Sequence, residues 1–580
     1  MDTPMNMRES LEQIVSAALQ AACDDGSLAL ESVPAPALER PRDEANGDWA
    51  STVAMRSAKL ARKNPREIAQ IIVDHLPEND LIASVDIAGP GFINMKLAPS
   101  ALQSVVAAVR AQKGDFGKSE QRGDERVRVN LEYVSANPTG PMHVGHGRWA
   151  ALGDAMARVM RHAGYDVSEE FYINDHGVQM DVFGRSISVR YQQLLGRDVE
   201  LPEKCYGGSY VVDIAQRIVD ADGDKWLAVS DEEREHAFRE EGYAQMLQLM
   251  KDTLGGFGVR FDTWFSERDL YVPDVEGKTA VQRAFEAMDA KGYIFEQDGA
   301  TWFRSTAFGD DKDRVLIKEN GEMTYFMSDM AYHHSKLERG FGHLIDIWGA
   351  DHHGYVKRCE AMLEAWGHPG ALEVVLGQLV NLFRDGEAVR MSKRTGEMVT
   401  FSELIDEVGV DATRFLMLSR SSDQPIDFDI EVAKKKDASN PVYYVQYAHA
   451  RICSILRKAA AEADAAAAEA GETSMDELAA KVIPAGCSLA ALTHESELAL
   501  MRKMDEFADL VAQAARDRAP FRLTHYAQEL AAAFHVFYTN CHVLVDDADL
   551  QAARLALADA TRTVLALTLS LLGVSAPSKM

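Results

Sequence analysis

Apolar residues near the amino terminus recur every three or four positions, which is the spacing of an amphipathic helix. The residues that form this repeat are Leu11, Ile14, Val15, Ala18 and Leu19. Residues 54–76 show the same spacing in two parts, broken near Asn64–Pro65, where proline is well suited to open a second helix. Residues 84–97 favour two short strands around a Gly-Pro-Gly turn. The pattern predicts a small N-terminal α/β domain over residues 1–115.

A βαβ unit follows this domain. Residues 126–135 alternate like a strand, residues 136–145 form a Pro/Gly-rich loop, a helix with one apolar face begins near His146, and residues 166–175 favour a second strand. Two strands joined through a helix run parallel with a right-handed crossover. The loop that leaves the first strand therefore lies at the carboxyl end of a parallel sheet, where open α/β folds bind ligands.

The rest of the chain changes character twice. Residues from about 190 to about 310 are more charged and less regular, which indicates an insertion. Patterns of an α/β fold return from Leu344, so the parallel-sheet domain with its insertion covers residues 116–385, and residues 386–445 carry a polar loop and connecting helices. Residues 446–580 show long helical repeats and no strand pattern. The predicted fold is multidomain α/β with a C-terminal all-α helix bundle.

Composition narrows the class of protein. The chain has 580 residues, of which 47% are apolar and 26% charged, as in ordinary globular domains. Every long apolar run is interrupted, and no basic segment precedes an apolar one at the N-terminus, so we expect a cytoplasmic protein without a membrane span or secretory signal. Six cysteines without a CxxC pair argue against a structural metal. The net charge of −29 argues against non-specific nucleic-acid binding, whereas a specific nucleic-acid partner stays open because basic patches can be local.

The most informative short motif is His143-Val144-Gly145-His146, between the first strand of the βαβ unit and its helix. A helix N-terminus offers N–H groups and a partial positive charge, which both suit a phosphate. Two imidazoles can add donors to a polyphosphate, and Gly145 lets a flat ring such as adenine lie against the backbone. We interpret His143, Gly145 and His146 as candidate nucleotide-binding residues.

A second motif, Arg390-Met391-Ser392-Lys393-Arg394, lies in a polar loop far downstream. Most such runs are solvated surface loops. The alternative is a clamp in which Lys393 neutralises charge that builds on transferred phosphate oxygens, because preorganised cations make large contributions to catalysis.

Together the two motifs resemble the HIGH and KMSKS signatures of class I aminoacyl-tRNA synthetases. Residues 131–148, 172–179, 409–420 and 440–452 are closely similar to arginyl-tRNA synthetases, and the resemblance runs over nearly the whole chain. It implies a Rossmann-type catalytic domain that activates L-arginine with ATP and Mg²⁺ to arginyl-adenylate, and transfers it to the 3′ end of tRNA(Arg), giving AMP and pyrophosphate. It also implies an N-terminal domain that touches the tRNA elbow, an anticodon-binding helix bundle and a monomer.

The resemblance assigns roles to both motifs. His143, His146 and Lys393 would be catalytic. ATP would be bound by His143, Gly145, His146, Met391, Ser392 and Lys393. The first lysine of the KMSKS pattern is Arg390 here, and family members without the second lysine often carry a lysine just before the HxGH motif. Because Lys393 is present and residues 139–141 contain no lysine, the phosphate role falls on Lys393.

The arginine pocket can be approached from chemistry. A guanidinium carries five donors in a fixed fork and no acceptor, so it favours carboxylates. Glu132 lies near the end of the first strand, and Asp329 lies one helical turn after Tyr325. By the match to the family, both carboxylates would hold the guanidinium with Tyr325 beside it, and Asn137 would bind the α-amino or carboxylate end. Further candidates for the same cleft are Ser135, Asp351, His352, Asp175 and Gln179.

Cations and aromatic residues cluster before and within the helix bundle. Rings among cations suit unstacked bases, but Tyr443, Tyr447 and Ala450 also fit the spacing of a core stripe, so we expect about half of this cluster in the core. The candidate tRNA-binding residues are Lys434, Lys435, Lys436, Tyr447 and Arg451.

Three other functions stay open from the sequence. Another HxGH nucleotidyl transferase would not need a large helical C-terminal domain. A non-catalytic RNA-binding relative would be expected to lose the His143–His146 motif or Lys393. A metal hydrolase could use Asp351, His352 and His353, but adjacent histidines often point apart and no HExxH motif accompanies them.

Overall fold

A computed structural model describes residues 7–41, 43–119, 128–389, 399–463 and 474–580. The N-terminal elements are α1 (Met7–Asp24), β1 (Leu38–Glu39), β2 (Trp49–Ser51), α2 (Val53–Ala61), α3 (Pro65–Asp74), β3 (Ile82–Ala88), β4 (Phe92–Leu97) and α4 (Pro99–Gln112). The strands form an antiparallel sheet in the order β1-β2-β4-β3. Asn64 caps α3 by accepting from the N–H of Arg66. The predicted helix pair and strand pair are confirmed.

The central part of the chain alternates strands and helices. Its elements are β5 (Arg128–Glu132), α5 (Val144–His162), β6 (Asp166–Ile173), α6 (Val178–Leu194), α7 (Ser209–Asp222), α8 (Asp231–Gly256), β7 (Thr263–Ser266), α9 (Ala280–Asp289), β8 (Ile294–Gln297), β9 (Ala300–Phe303), β10 (Arg314–Ile317), α10 (Tyr325–Glu338), β11 (His343–Gly349), α11 (Val356–Trp366) and β12 (Leu372–Gly377). Five strands form a parallel sheet in the order β12-β11-β5-β6-β7. The predicted βαβ unit is confirmed as β5-α5-β6, and the multidomain α/β fold with it.

Residues from about 190 to about 310, whose sequence pattern is less regular, form regular helices and strands, and their reading as an insertion stays a prediction. Most of this region is helical, and β7 joins the edge of the parallel sheet beside β6. The buried face of α8 includes Arg234 and Gly242, which interrupt the apolar repeat that would otherwise mark this helix in the sequence. The remaining strands of this region, β8, β9 and β10, form a small antiparallel sheet of their own.

The described C-terminal part is mainly helical and contains a small sheet of three short strands. Its elements are β13 (Val380–Arg384), β14 (Glu387–Ala388), α12 (Phe401–Val408), α13 (Val410–Met417), β15 (Ile426–Asp429), α14 (Ile430–Lys434), α15 (Pro441–Ala463), α16 (Met475–Val482), α17 (Glu495–Asp505), α18 (Phe507–Arg516), α19 (Phe521–Asn540) and α20 (Ala548–Leu571). The predicted helix bundle is confirmed as α15–α20. The sequence pattern missed β15, which pairs parallel to β13, because four residues are too few to show a strand repeat. None of the helices in the described ranges is long and apolar enough to cross a membrane.

Arg414 on α13 joins three parts of the molecule. It is fully buried and forms an ion pair with Asp154 on α5. Its guanidinium also donates to the carbonyl oxygen of Leu572 after α20, at 3.0 Å, and to that of Phe257 after α8, at 2.9 Å. The helix that follows the nucleotide motif is thereby bonded to the end of the helix bundle and to the end of α8.

Candidate active site

The site lies at the point in the parallel sheet where the order of strand addition reverses, between β5 and β11. Glu132, the last residue of β5, is directly opposite Asp346 on β11. The chain continues from β5 to β6 and β7 on one side, and later adds β11 and β12 on the other. Such switch points open the crevice in which α/β folds bind ligands. Two carboxylates on adjacent strands repel each other unless a cation lies between them.

Helix α10 supplies that cation. Lys336 is fully buried, and its Nζ donates to Oε2 of Glu132 at 2.6 Å and to Oδ1 of Asp346 at 2.9 Å. The other oxygen of Asp346 lies 3.1 Å from Nε2 of His333. Burial opposes charge on these groups, yet Asp346 and Glu132 raise the pKa of Lys336, while Lys336 and His333 lower the pKa of Asp346. Lys336 and Asp346 are therefore both charged at neutral pH.

The same face of α10 continues the network in both directions. Arg339 donates to both oxygens of Glu170 on β6. In the other direction, Nδ1 of His333 lies 2.8 Å from the carbonyl oxygen of Asp329. Because that carbonyl can only accept and Asp346 is ionised, both ring nitrogens of His333 carry protons. Helix α10 thus meets the sheet through cations and carboxylates.

Loss of Lys336 should destabilise the fold strongly. In Lys336→Ala the buried carboxylates of Glu132 and Asp346 lose their shared cation, and we expect a decrease of about 3–5 kcal/mol in the free energy of unfolding, measured by urea denaturation. Lys357→Ala is the matched control, because it removes an exposed lysine paired with Glu360 and should cost at most about 1 kcal/mol. Equal stability of the two variants would contradict the buried charge network.

Two carboxylates at the end of this row lack a lysine or arginine partner in the described part of the chain. Asp329 lies one helical turn before His333 and accepts from the hydroxyl of Tyr355, and Glu267 follows β7 and is 4% exposed. Burial raises the pKa of Asp329 to about 6, and burial together with Asp329 raises the pKa of Glu267 to about 7. The effect of one group on the other means that they are neighbours. Among the described residues the nearest cation to Asp329 is His333, so this end of the row can accept a further cation.

The turn after β5 is strained and held by side chains. Val134 and Ser135 have φ values of 70° and 34°, in the left-handed region that is costly for a β-branched residue. Oγ of Ser135 donates to Oε1 of Glu132 at 2.8 Å and accepts from the N–H of Tyr172 at 3.1 Å. With Lys336 on Oε2, both oxygens of Glu132 have partners, so the predicted contacts of Glu132 and Ser135 with arginine stay predictions.

The nucleotide motif caps its own helix. Helix α5 begins at Val144, two residues earlier than predicted, with His143 as the N-cap. Nδ1 of His143 accepts from the N–H of Gly145, and Nδ1 of His146 accepts from the N–H of His143, both at 3.1 Å. The rings stack with centroids 3.8 Å apart, and a β-carbon on Gly145 would lie 2.9 Å from the His143 ring. Because both Nδ1 atoms accept, each neutral ring carries its proton on Nε2.

The second motif lies outside the described residues, which exclude Met391, Ser392 and Lys393. The chain that follows it returns to the first motif: the N–H of Phe401 donates to the carbonyl oxygen of Met142 at 2.9 Å, and Thr400 forms a β-bridge with His143. A β-carbon on Gly147 would lie 2.2 Å from the ring of Phe401, so the glycine permits this approach. A short connection therefore links the two motifs, and the role of Lys393 stays a prediction.

Three predicted residues of the amino-acid site are exposed. Tyr325 is the first residue of α10 and is 75% exposed. Asp351 and His352 lie in the turn after β11, where Nε2 of the histidine is 3.7 Å from Oδ2 of the aspartate. Their side chains are open to a ligand, and their predicted roles stay untested.

The other candidates lie around the helix after β6. Nδ2 of Asn137 donates to Oε1 of the exposed Gln179 at 2.8 Å. Asp175 is buried, accepts from Ser266 at 2.6 Å and from the N–H of Arg268, and lies close to Glu267. The sequence pattern does not predict Glu267, Lys336, His333 or Asp346 as residues of the site. The one signal for them is the helical spacing of cations at 333, 336 and 339 next to strand-end carboxylates.

The predicted tRNA contacts lie on the surface. Lys434–Lys436 are exposed, and the first of them pairs with Glu407 at 3.2 Å. Tyr447 is exposed, and Arg451 donates to its hydroxyl at 2.8 Å while the guanidinium lies 4.5 Å from the ring of Tyr538. This arrangement of ring and cation is suited to an unstacked base.

Known proteins match the chain from end to end. The matching family models are an arginyl tRNA synthetase N terminal domain over residues 9–97, a class I (R) tRNA synthetase catalytic domain over residues 106–204 and a DALR anticodon binding domain over residues 445–580. Arginine–tRNA ligases of Heliobacterium modesticaldum and Syntrophotalea carbinolica are 45% and 46% identical, and each alignment covers 99% of this chain and 100% of the relative. The Thermus thermophilus arginyl-tRNA synthetase structure has a similar fold, with a TM-score of 0.74 and 23% identity over 99% of this chain and 100% of that one. The chain belongs to the arginyl-tRNA synthetase family of class I aminoacyl-tRNA synthetases.

Proposed function

We propose that this cleft activates L-arginine with MgATP, giving arginyl-adenylate and pyrophosphate, and then transfers the arginyl group to the 3′ end of tRNA(Arg) with release of AMP. The observation that carries the proposal is the pair Asp329 and Glu267, two neighbouring carboxylates without a lysine or arginine partner among the described residues. Guanidinium is a planar fork of donors that binds carboxylates in bidentate geometry. Bound arginine would therefore complete the row of charges along α10.

The remaining groups of the cleft would orient the two substrates. The exposed ring of Tyr325 would cover the guanidinium, Asn137 would bind the α-amino or carboxylate end, and Asp351 or His352 would lie near the adenosine. We propose that Glu132 acts on arginine mainly through its charge, because its two oxygens are already bonded to Lys336 and Ser135.

In the first step an oxygen of the arginine carboxylate forms a bond to the α-phosphorus of ATP, and the bond from that phosphorus to pyrophosphate breaks. The N–H groups at the start of α5 and the Nε2–H groups of His143 and His146 would donate to phosphate oxygens, with Gly145 beside the adenine. Lys393, with Met391 and Ser392, would add the positive charge that the leaving pyrophosphate needs.

In the second step a hydroxyl of the terminal ribose of the tRNA attacks the adenylate carbonyl, and AMP leaves. We propose that the N-terminal domain, residues 1–115, contacts the tRNA elbow, and that the helix bundle, residues 446–580, binds the anticodon. Lys434–Lys436, Tyr447 and Arg451 would contact the RNA. The protein would act as a monomer in the cytoplasm, where tRNA is charged.

The arginine dependence should vary with pH. Asp329 and Glu267 bind a guanidinium only when ionised, and their pKa values are about 6 and about 7. We expect kcat/KM for arginine to rise between about pH 5.5 and about pH 8 and then to level off.

The stability of the protein should also depend on these two groups. Both pKa values lie above those of an unfolded chain, so without arginine the two groups contribute stability that is lost as the pH rises to about 7. Stabilisation by arginine, measured as a shift in Tm, should therefore be larger at about pH 8 than at about pH 6. A pH-independent shift would contradict the assignment.

The experiment that tests the function is ATP–pyrophosphate exchange with each of the standard amino acids, with and without tRNA. Among the standard amino acids we expect only arginine to support exchange, and we expect the exchange to be stronger when tRNA(Arg) is present. A protein that exchanges with another amino acid, or that adenylates a small metabolite without tRNA, would overturn the proposal.

A further inference from the structure

Tyr210 reaches from the helical insertion to the loop before the nucleotide motif. It is the second residue of α7, and its ring packs on the core shared by α6, α7 and α8, with the ring centroid 6.5 Å from that of Phe183. Its hydroxyl donates to the carbonyl oxygen of Thr139 at 2.9 Å. The side chain therefore connects the body of the insertion to the loop of residues 136–142.

This loop has few other attachments. Pro138 and Pro141 have no N–H group, which leaves the loop two fewer backbone donors for attachment to its surroundings. Within the ranges that the structure describes, hydrogen bonds join residues 136–142 to other elements at three points: Asn137 to Gln179, Thr139 to Tyr210 and Met142 to Phe401. The tyrosine is the middle attachment, and its acceptor lies only four residues before His143.

Gly140 makes room for the tyrosine. A β-carbon at this position would lie 2.9 Å from Oη of Tyr210 and 3.1 Å from its Cζ, which is closer than a β-carbon normally approaches another atom. The backbone at Gly140 is not left-handed, so its conformation does not require glycine. The close approach of the ring is the physical reason for a glycine here.

We propose that Tyr210 is a positioning residue for ATP: its bond to Thr139 fixes the loop and, through it, the start of α5, so that His143 and His146 meet the phosphates. The inference rests on the proposed function, because it assigns phosphate binding to that motif. Tyr210 acts through the loop and touches no reacting atom. A loop that is already fixed loses less conformational entropy when ATP binds. The effect should fall mainly on ATP, because Asn137, the loop residue assigned to arginine, keeps its own hydrogen bond to Gln179.

Tyr210→Phe tests the hydrogen bond alone. In tRNA-dependent ATP–pyrophosphate exchange we expect kcat/KM for ATP to fall about five- to tenfold, with the KM for arginine changed by less than about twofold. Tyr206→Phe is the matched control, because Tyr206 packs on the same Phe183 ring at 5.8 Å. Its ATP parameters should stay within about twofold of the starting protein. Unchanged ATP parameters in Tyr210→Phe would overturn the proposal.

Gly140→Ala tests the geometry from the other side of the contact. The added β-carbon pushes the loop away from the tyrosine, and we expect at least about a tenfold loss in kcat/KM for ATP. In a Tyr210→Leu background the same substitution should cost less than about twofold, because the ring that it strikes is gone. An equal loss in both backgrounds would mean that the loop needs Gly140 for another reason, and would overturn the proposal.

Hydrogen exchange separates this inference from the proposed function. Amide exchange in residues 136–146, measured without substrates, should be faster in Tyr210→Phe than in Tyr206→Phe, whether or not the protein charges tRNA. Equal exchange in the two variants would overturn the positioning role while the activity assays still stand. If the unsubstituted protein shows no arginine-dependent ATP–pyrophosphate exchange, the proposed function is overturned. The amide measurement still tests whether Tyr210 holds the loop.

Discussion

Asp329→Asn should lower kcat/KM for arginine about a hundredfold, mostly through the arginine KM. The substitution keeps the shape of the side chain but removes the charge that faces the guanidinium, and hydrogen bonds to charged groups of this kind contribute about 1.5–3 kcal/mol. Steady-state aminoacylation with varied arginine measures the effect. Glu338→Gln is the matched control, since it neutralises a more exposed carboxylate at the other end of α10 and should change kcat/KM by less than about twofold.

The same variant should narrow the preference for arginine over citrulline. Citrulline has nearly the same shape, but a carbonyl oxygen replaces one donor edge and would face a carboxylate with no proton between them. Asparagine at 329 can donate to that oxygen, so the citrulline penalty should shrink. Glu267→Gln should also narrow this preference. Its effect should be less than additive with that of Asp329→Asn, because both carboxylates would bind the same guanidinium.

Glu132→Gln decides the remaining assignment. A direct contact with the guanidinium predicts an effect as large as that of Asp329→Asn. A role through Lys336 predicts a smaller effect on arginine together with a loss of stability. If Asp329→Asn itself leaves arginine kinetics unchanged, the pocket must lie elsewhere.

Lys393→Ala should abolish most adenylate formation, with a loss of about 3–4 kcal/mol in transition-state stabilisation. The expectation comes from the sequence: Lys393 is the only lysine in residues 390–394, and residues 139–141 contain no lysine that could replace it. Single-turnover formation of arginyl-adenylate measures the step. The Tm and the affinity for tRNA should stay near those of the starting protein, since the charge acts on the leaving pyrophosphate.

Arg394→Ala provides the control for Lys393, because it removes the neighbouring positive charge. We expect it to slow adenylate formation far less than Lys393→Ala does. Similar losses in the two variants would mean that the loop contributes a general positive field and no specific lysine contact.

The sequence located the parts of the site that lie at the ends of well-marked elements. Glu132 ends a clear strand, and His143 is the N-cap of a clear helix, so the βαβ rule alone places both at one edge of the sheet. Asp329 required the resemblance to the family, because its helical position by itself is equally typical of a solvated residue.

Glu267 and Lys336 could not be found in this way. Glu267 follows β7, which has only four residues in a region without an apolar repeat, and it reaches the cleft only because β7 pairs with β6. Lys336 lies on a polar helical face that the pattern rule assigns to solvent. Its burial depends on carboxylates from β5 and β11, which are 204 and 10 positions away along the chain. The helical spacing of the cations at 333, 336 and 339 is visible in the sequence, but only the tertiary pairing with distant carboxylates shows that this face is buried.

The hydrogen bonds of Arg414 affect how the protein unfolds locally. Its guanidinium bonds to α5 and to the carbonyl oxygens at the ends of α8 and α20, and no water can replace these bonds while the side chain remains buried. Any local unfolding that frees one of these three partners would leave a buried charge with fewer hydrogen bonds, which is costly. We therefore expect the last turns of α8 and α20 to exchange their amide hydrogens as one cooperative unit with α5, at a higher free energy than the other helix ends.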